Sequence, residues 1–194
     1  MSLTFLQAFA RDPISVGGIW PSGPTLAKAM VEAADLRPDQ VVVELGAGTG
    51  PITAAFQHHK GPRISLEPDP IMAARCRARC PDVEIVEARA EDLSAVLKDR
   101  GHAAADRILS GLPFAIWSEA RQRSALDAVL SCLSEEGIFV TFTYAHSPML
   151  PAGRRFRQTL ARRFRHLERS RLILGNLPPA VFYIARGPLA EQGM

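Results

Sequence analysis

Cysteine is scarce in this chain: three in 194 residues, Cys76, Cys80 and Cys132. An odd number without a Cys-x-x-Cys pair excludes a disulfide framework and gives no zinc-binding spacing. Cys76 and Cys80 stand one helical turn apart and read as ordinary helix residues rather than half of a metal site, so no metal is expected. Also missing is any apolar run approaching the roughly 20 residues needed to cross a bilayer. Met1-Ser2-Leu3-Thr4-Phe5 has no basic region ahead of an apolar one, so a secretory leader is not expected and a reducing cytoplasm is. No repeat or low-complexity tract interrupts the chain. Its 47% hydrophobic and 22% charged residues fit one globular domain over residues 1–194. Acidic residues are few in the last quarter, where residues 146–194 hold nine arginines against Glu168 and Glu191. Such an excess points to a phosphate-bearing partner, lipid headgroups or nucleic acid, or to a solvated arginine face.

What the chain does have is concentrated at Val41-Val42-Val43-Glu44-Leu45-Gly46-Ala47-Gly48-Thr49-Gly50. Three β-branched residues predict a buried strand, three alternate glycines end it, and Pro51 suits the first turn of a helix over 51–59. Strand, glycine loop and helix open a βαβ unit that binds a nucleotide-like ligand at the strand's carboxyl end. The dinucleotide fingerprint requires a further glycine at position 51, where Pro stands. Downstream, strands are expected at 63–67, 83–87 and 138–144, with a fourth strand and its ending over 106–114, and helices over 69–79, 118–133 and 153–165. Two final strands are expected at about 166–174 and 180–186. Upstream, Ser22 is placed to cap a helix from Pro24 to Ala34. Phe5, Leu6 and Phe9 share one face of a helix over 3–11.

Glu44-Leu45-Gly46-Ala47-Gly48-Thr49-Gly50 resembles the first motif of class I S-adenosylmethionine-dependent methyltransferases, and Glu67, ending the next strand, resembles their second signature. The resemblance implies a Rossmann-like α/β fold: a seven-stranded, mostly parallel sheet with an antiparallel C-terminal strand and helices on both faces. It implies S-adenosyl-L-methionine as cofactor and S-adenosyl-L-homocysteine as product. Gly46, Ala47 and Gly48 would then approach the methionine end with Glu44 and Ser22 nearby. Glu67 and Pro68 would meet the ribose, and Ala90 and Glu91 the adenine. Arg89 departs from the family pattern, because an acidic residue usually precedes the small one there.

Ser110-Gly111-Leu112-Pro113-Phe114 resembles the stretch that amino-group methyltransferases carry after the fourth strand. Together with Trp20-Pro21-Ser22-Gly23-Pro24, Phe142-Thr143-Tyr144 and Asn176-Leu177-Pro178-Pro179-Ala180, it makes the chain similar to the bacterial phospholipid N-methyltransferases. That family turns phosphatidylethanolamine into its mono-, di- and trimethylated forms. By this resemblance Ser110 lies beside the cofactor, and Phe114, Tyr144 and His146 are the catalytic candidates. Phe114 would offer a π face to the cationic ligand. Trp20, Tyr144, His146, Arg171 and Asn176 would hold the headgroup, with Arg171 supplying charge to its phosphate. An amine must lose a proton before it attacks a sulfonium methyl, and His146 or water could take it. Residues 1–20 would form an amphipathic, membrane-facing segment. With the arginines at 154–165 they would hold the protein peripherally on an anionic surface on the cytoplasmic side.

Three other readings stay open. An RNA adenine N6-dimethyltransferase shares the fold and a similar Leu-Pro-aromatic stretch, but no aromatic stacking platform accompanies the arginines, so nucleic acid is not the expected partner. A small-molecule amine N-methyltransferase and a non-catalytic cofactor-binding module are the others.

Overall fold

Val42 to Leu45 are all buried, because a parallel strand covered on both faces has no solvent side. This strand, β1, is central to a computed structural model that describes residues 23–189. In chain order the elements are α1 (Pro24–Ala33), β1 (Val42–Leu45), α2 (Pro51–Phe56), β2 (Arg63–Leu66), α3 (Pro70–Arg79), β3 (Glu84–Val86), α4 (Leu93–Lys98), β4 (Ala105–Ser110), α5 (Glu119–Cys132), β5 (Leu133–Tyr144), α6 (Pro151–Arg163), β6 (Phe164–Arg169) and β7 (Ala180–Pro188). Short 3₁₀ turns occupy Ala90–Asp92, Phe114–Ile116 and Ser147–Met149. The helix expected over 3–11, Trp20 and Ser22 lie outside the described residues.

One seven-stranded sheet runs in the order β3-β2-β1-β4-β5-β7-β6. Strands β1 to β5 pair in parallel, and β7 enters antiparallel between β5 and β6. This is the expected sheet. Side chains of β1 alternate between its two faces. Val43 and Leu45 join a core with Leu93 and Leu97 of α4, Leu126 and Val129 of α5, and Phe156 and Leu160 of α6. Val42 joins the opposite core with Leu26 and Met30 of α1, Ile52 and Phe56 of α2, and Ala73 and Cys76 of α3. Local signals fix the helix starts: the Asp69 side chain accepts the N–H groups of Ile71 and Met72, and Ser118 accepts that of Arg121.

Three boundaries differ from expectation. The helix after the glycine loop stops at Phe56. Strand β5 begins at Leu133, its register jumping from Ala105↔Leu133 to Arg107↔Ile138. A Cβ at Gly137 would fall 2.5 Å from the Leu133 side chain, so this glycine permits the irregularity rather than marking a strand start. Beyond β6, only Ile173 of the expected strand to 174 bridges, to Ala180.

Sheet order reverses between β1 and β4, where two halves wound in opposite senses leave a crevice at the strands' carboxyl ends. The glycine loop, Glu67, Ser110 and Tyr144 all lie at that edge. At the opposite edge, a polar cavity of about 470 Å³ includes Asp35, Asp106 and Arg107 in its lining. The buried Arg107 guanidinium there donates to the carbonyls of Ala34 and Asp106, closing the end of α1.

Candidate active site

Gly46, Gly48 and Gly50 take φ of 75°, 56° and 80°, conformations that side-chain-bearing residues seldom adopt. Their surroundings differ in a way that locates a ligand. At Gly46 a Cβ would meet Leu112 Cδ2 at 2.8 Å, and at Gly50 it would meet Cys76 Sγ at 2.8 Å, whereas at Gly48 it would meet nothing within 4 Å. The loop is therefore packed from beneath at both ends and open above its middle. Its backbone is held by the Leu66 carbonyl, which accepts the N–H groups of Gly46 (2.9 Å) and Ala47 (3.1 Å).

Glu67 follows β2 and reaches back to this loop. One carboxylate oxygen accepts the Gly48 N–H at 2.7 Å, the other the Asp69 N–H at 3.0 Å. Each oxygen keeps a further lone pair for a ligand hydroxyl. Pro68, next to it, is exposed. Glu44 is fully buried one strand away. Its Oε2 accepts from the hydroxyls of Thr53 and, at 2.9 Å, Ser65, while Oε1 has no partner among the described residues. Burial pushes this carboxyl up from 4.5 to about 7, partly offset by the two hydroxyl donors. The Glu67 carboxylate beside the open backbone at Gly48 suits a ligand with a ribose, over a loop whose base is fixed by buried Glu44, Thr53 and Ser65. The residues present fit S-adenosylmethionine.

Ala90 is buried and begins a 3₁₀ turn in which Asp92 accepts the Arg89 N–H at 2.9 Å. Glu91 is exposed on that turn. Ser110 is fully buried at the end of β4, beside Leu45 and Thr141, and its hydroxyl accepts the Leu112 N–H at 3.2 Å. Gly111 then passes so close to the glycine loop that a Cβ would fall 2.7 Å from the Gly46 carbonyl oxygen.

Phe114 does not take the place expected of it. Its ring is 2% exposed and stacks on Phe156 with centroids 4.2 Å apart, with Trp117 and Phe139 edge-on. The 3₁₀ turn after Pro113 carries the ring into the core beneath α5 and α6, whereas Tyr144 packs against the core on the other face of the sheet. The two rings therefore do not flank one point. Tyr144 and His146, by contrast, stack nearly parallel, with centroids 5.9 Å apart and planes 7° apart. Burial lowers the His146 pKa and raises that of Tyr144, so near neutral pH the pair offers an uncharged imidazole and an intact phenol.

Asn176 is buried but already engaged. It accepts the Gly23 N–H and donates to the Pro178 carbonyl, both at 2.8 Å, tying the start of α1 to the last connection. These two bonds give it a structural role and leave one Nδ2 hydrogen unused by them. Arg171 is exposed on the same connection. Leu112, Thr53 and Ser65 were absent from the expected set. A lone serine between Ile64 and Leu66 was the available signal, since a polar residue in a buried strand implies a buried partner.

Residues 42–137 match a methyltransferase-domain family model. Over 189 residues, 94% of both chains, the sequence is 33% identical to an ornithine lipid N-methyltransferase from Singulisphaera acidiphila. The chain belongs to the class I S-adenosylmethionine-dependent methyltransferases, in the family of that lipid enzyme. Ribosomal RNA small subunit methyltransferase A from Thermotoga neapolitana is 34% identical, but over only 52% of this chain and 38% of its own length. The solved structure of O-methyltransferase TomG from Streptomyces achromogenes superposes with a TM-score of 0.68 over 97% of this chain and 91% of that one, at 18% identity, a likeness of fold alone. S-adenosylmethionine is the cofactor of this methyltransferase.

Proposed function

We propose that this methyltransferase methylates the amino group of a membrane lipid headgroup, working from the membrane surface. The observation that carries this reading is its relation to the lipid enzyme over 94% of both chains, against a match to only 38% of the ribosomal RNA enzyme. Phosphatidylethanolamine is the acceptor that the sequence motifs suggest. The relative's name favours ornithine lipid.

The bound cofactor supplies an electrophilic methyl on sulfur. Glu67 and the open backbone at Gly48 would hold it, with Gly111 setting the wall of the glycine loop. A lipid ammonium must become a neutral amine before transfer, and a dry pocket lowers its pKa by desolvation. His146, uncharged near neutral pH, accepts the departing proton, while the Tyr144 hydroxyl donates to a headgroup oxygen. Much of the rate then comes from alignment of amine, methyl and sulfur.

Purified protein with methyl-labelled S-adenosylmethionine, given phosphatidylethanolamine vesicles, ornithine lipid vesicles, or total RNA, tests the reading. Label is expected in lipid. Label in RNA alone would refute it, and the preferred lipid identifies the acceptor. Tyr144→Phe and His146→Ala are expected to lower lipid methylation at least about tenfold with cofactor affinity unchanged. Full activity in both would remove these residues from the site.

A further inference from the structure

The connection between β6 and β7 presents three large aliphatic side chains to solvent: Leu172, Leu174 and Leu177, 51%, 73% and 52% exposed. Met149, on the neighbouring connection after β5, is 80% exposed. These two connections are joined, since Ala145 donates its N–H to the Pro179 carbonyl at 2.9 Å. Both leave the sheet at its carboxyl edge, where Tyr144 pairs with Ala180 beside the candidate site. The leucines stand on a fixed base. Ser170 bonds Phe182 through both backbone and side chain, Ile173 pairs with Ala180, and Asn176 ties the tip to Gly23 and Pro178. Ile173 packs inward beside Ala180 and Tyr144 while Leu172 and Leu174, its neighbours, point out. A fold that holds an outward aliphatic rim this firmly needs something to cover it.

Charge at the rim indicates what that is. Arg171 is exposed within the connection and Arg169 just before it. No acidic residue occurs between Glu168 and Glu191, nor from His146 to Leu167. In and just after α6, Arg155 and Arg163 pair with Glu119 and Asp127 of α5 and Arg165 with Glu135, while Arg154, Arg157 and Arg162 are exposed and add to the positive charge of this half of the protein. Leucines flanked by arginine and free of carboxylate match the boundary between anionic headgroups and acyl chains, not a polar protein surface.

We infer that the 170–179 connection, through Leu172, Leu174, Leu177 and Arg171, is the element that docks this protein on an anionic bilayer, with the candidate site opening beside it. The inference rests on the lipid reading for its occupant, but its test does not require turnover. Leucine side chains enter the acyl boundary, Arg171 stays in the headgroup layer, and the headgroup amine need travel only from the bilayer edge to Tyr144 and His146.

Flotation of the full-length protein with vesicles of phosphatidylcholine and phosphatidylglycerol tests it. The wild type is expected to float, less so in high salt. Leu172→Asp/Leu174→Asp/Leu177→Asp should lose about 1,000-fold in partitioning, about tenfold per leucine, with melting temperature and S-adenosylmethionine affinity unchanged. Leu174→Ser alone serves if the triple variant misfolds, and should lose about tenfold. Wild-type-like flotation of the variants would overturn the docking assignment, as would failure of the wild type to float. A wild-type dimer that dissociates in the variant, or lowered stability with flotation intact, would give the rim to a second copy or to residues 1–22 and overturn it too. Methyl transfer to detergent-dispersed lipid is scored separately. Its absence in the wild type would sink the lipid reading, and its presence with unchanged vesicle binding in the variants would sink only the docking element.

Discussion

Replacing Glu44 by glutamine should make the protein's stability less dependent on pH. In the native state this carboxyl is fully buried with one oxygen unpartnered, and its pKa stands at about 7 against an ordinary 4.5. Unfolding restores the ordinary value, so the unfolded chain binds fewer protons than the native one over this range. Stability contributed by the protonated carboxyl is complete below pH 4.5 and is lost as pH rises through about 7. At about 1.4 kcal/mol per pH unit, the whole effect is about 3 kcal/mol, of which about 2 to 3 kcal/mol falls between pH 5 and pH 8. Glutamine keeps the shape and can still accept from Thr53 and Ser65, but does not titrate. Urea unfolding of both proteins at pH 5, 6, 7 and 8 measures the difference directly, since other titrating groups cancel between them. The wild type should lose about 2 to 3 kcal/mol more than Glu44→Gln across that range. Parallel stability curves would show that the carboxyl is ionised throughout and that burial does not govern it.

Three further outcomes follow from the geometry. Phe114→Ala should lower unfolding free energy by about 3 to 5 kcal/mol, as removal of a ring from a core does; wild-type urea unfolding with abolished methyl transfer would return the ring to the substrate site. Gly111→Ala drives a methyl against the Gly46 carbonyl and should cost about 1 to 3 kcal/mol of stability. It should also weaken S-adenosylmethionine binding in a calorimetric titration; unchanged binding would mean that this wall does not set the loop. Glu67→Ala removes the acceptor that holds Gly48 and Asp69 and should weaken cofactor binding about ten- to a hundredfold, with Glu67→Gln between. Equal affinity in all three proteins would separate Glu67 from the cofactor.

Much of this protein was written locally. Val41 to Val43 followed by three alternate glycines specify strand, loop and helix through adjacent residues alone, because hydrophobic period and the need for positive φ act over a few positions. Glu67 was legible for the same reason: it follows a short apolar strand at a fixed distance along a βαβ unit. The sheet, its seven strands and its antiparallel entry followed from the order of such units. Where side chains point after leaving those units was not legible. Phe114 follows β4 and Tyr144 ends β5 in the same sheet, yet one ring is drawn down onto Phe156 and the other packs on the opposite face. That choice depends on Phe156 of α6, which the sequence places far from Phe114. Asn176 likewise read as a headgroup donor, whereas folding ties its oxygen to Gly23, 153 residues earlier, and its amide group to Pro178. The surplus of arginine was plain in the composition, but only packing showed that Arg155, Arg163 and Arg165 meet acids of this same chain, and that exposed leucines stand beside Arg171. Periodicity and turn chemistry are short-range and so determine the elements and the cofactor loop. Which groups remain available to a substrate is settled by contacts between distant segments, and those exist only in the folded chain.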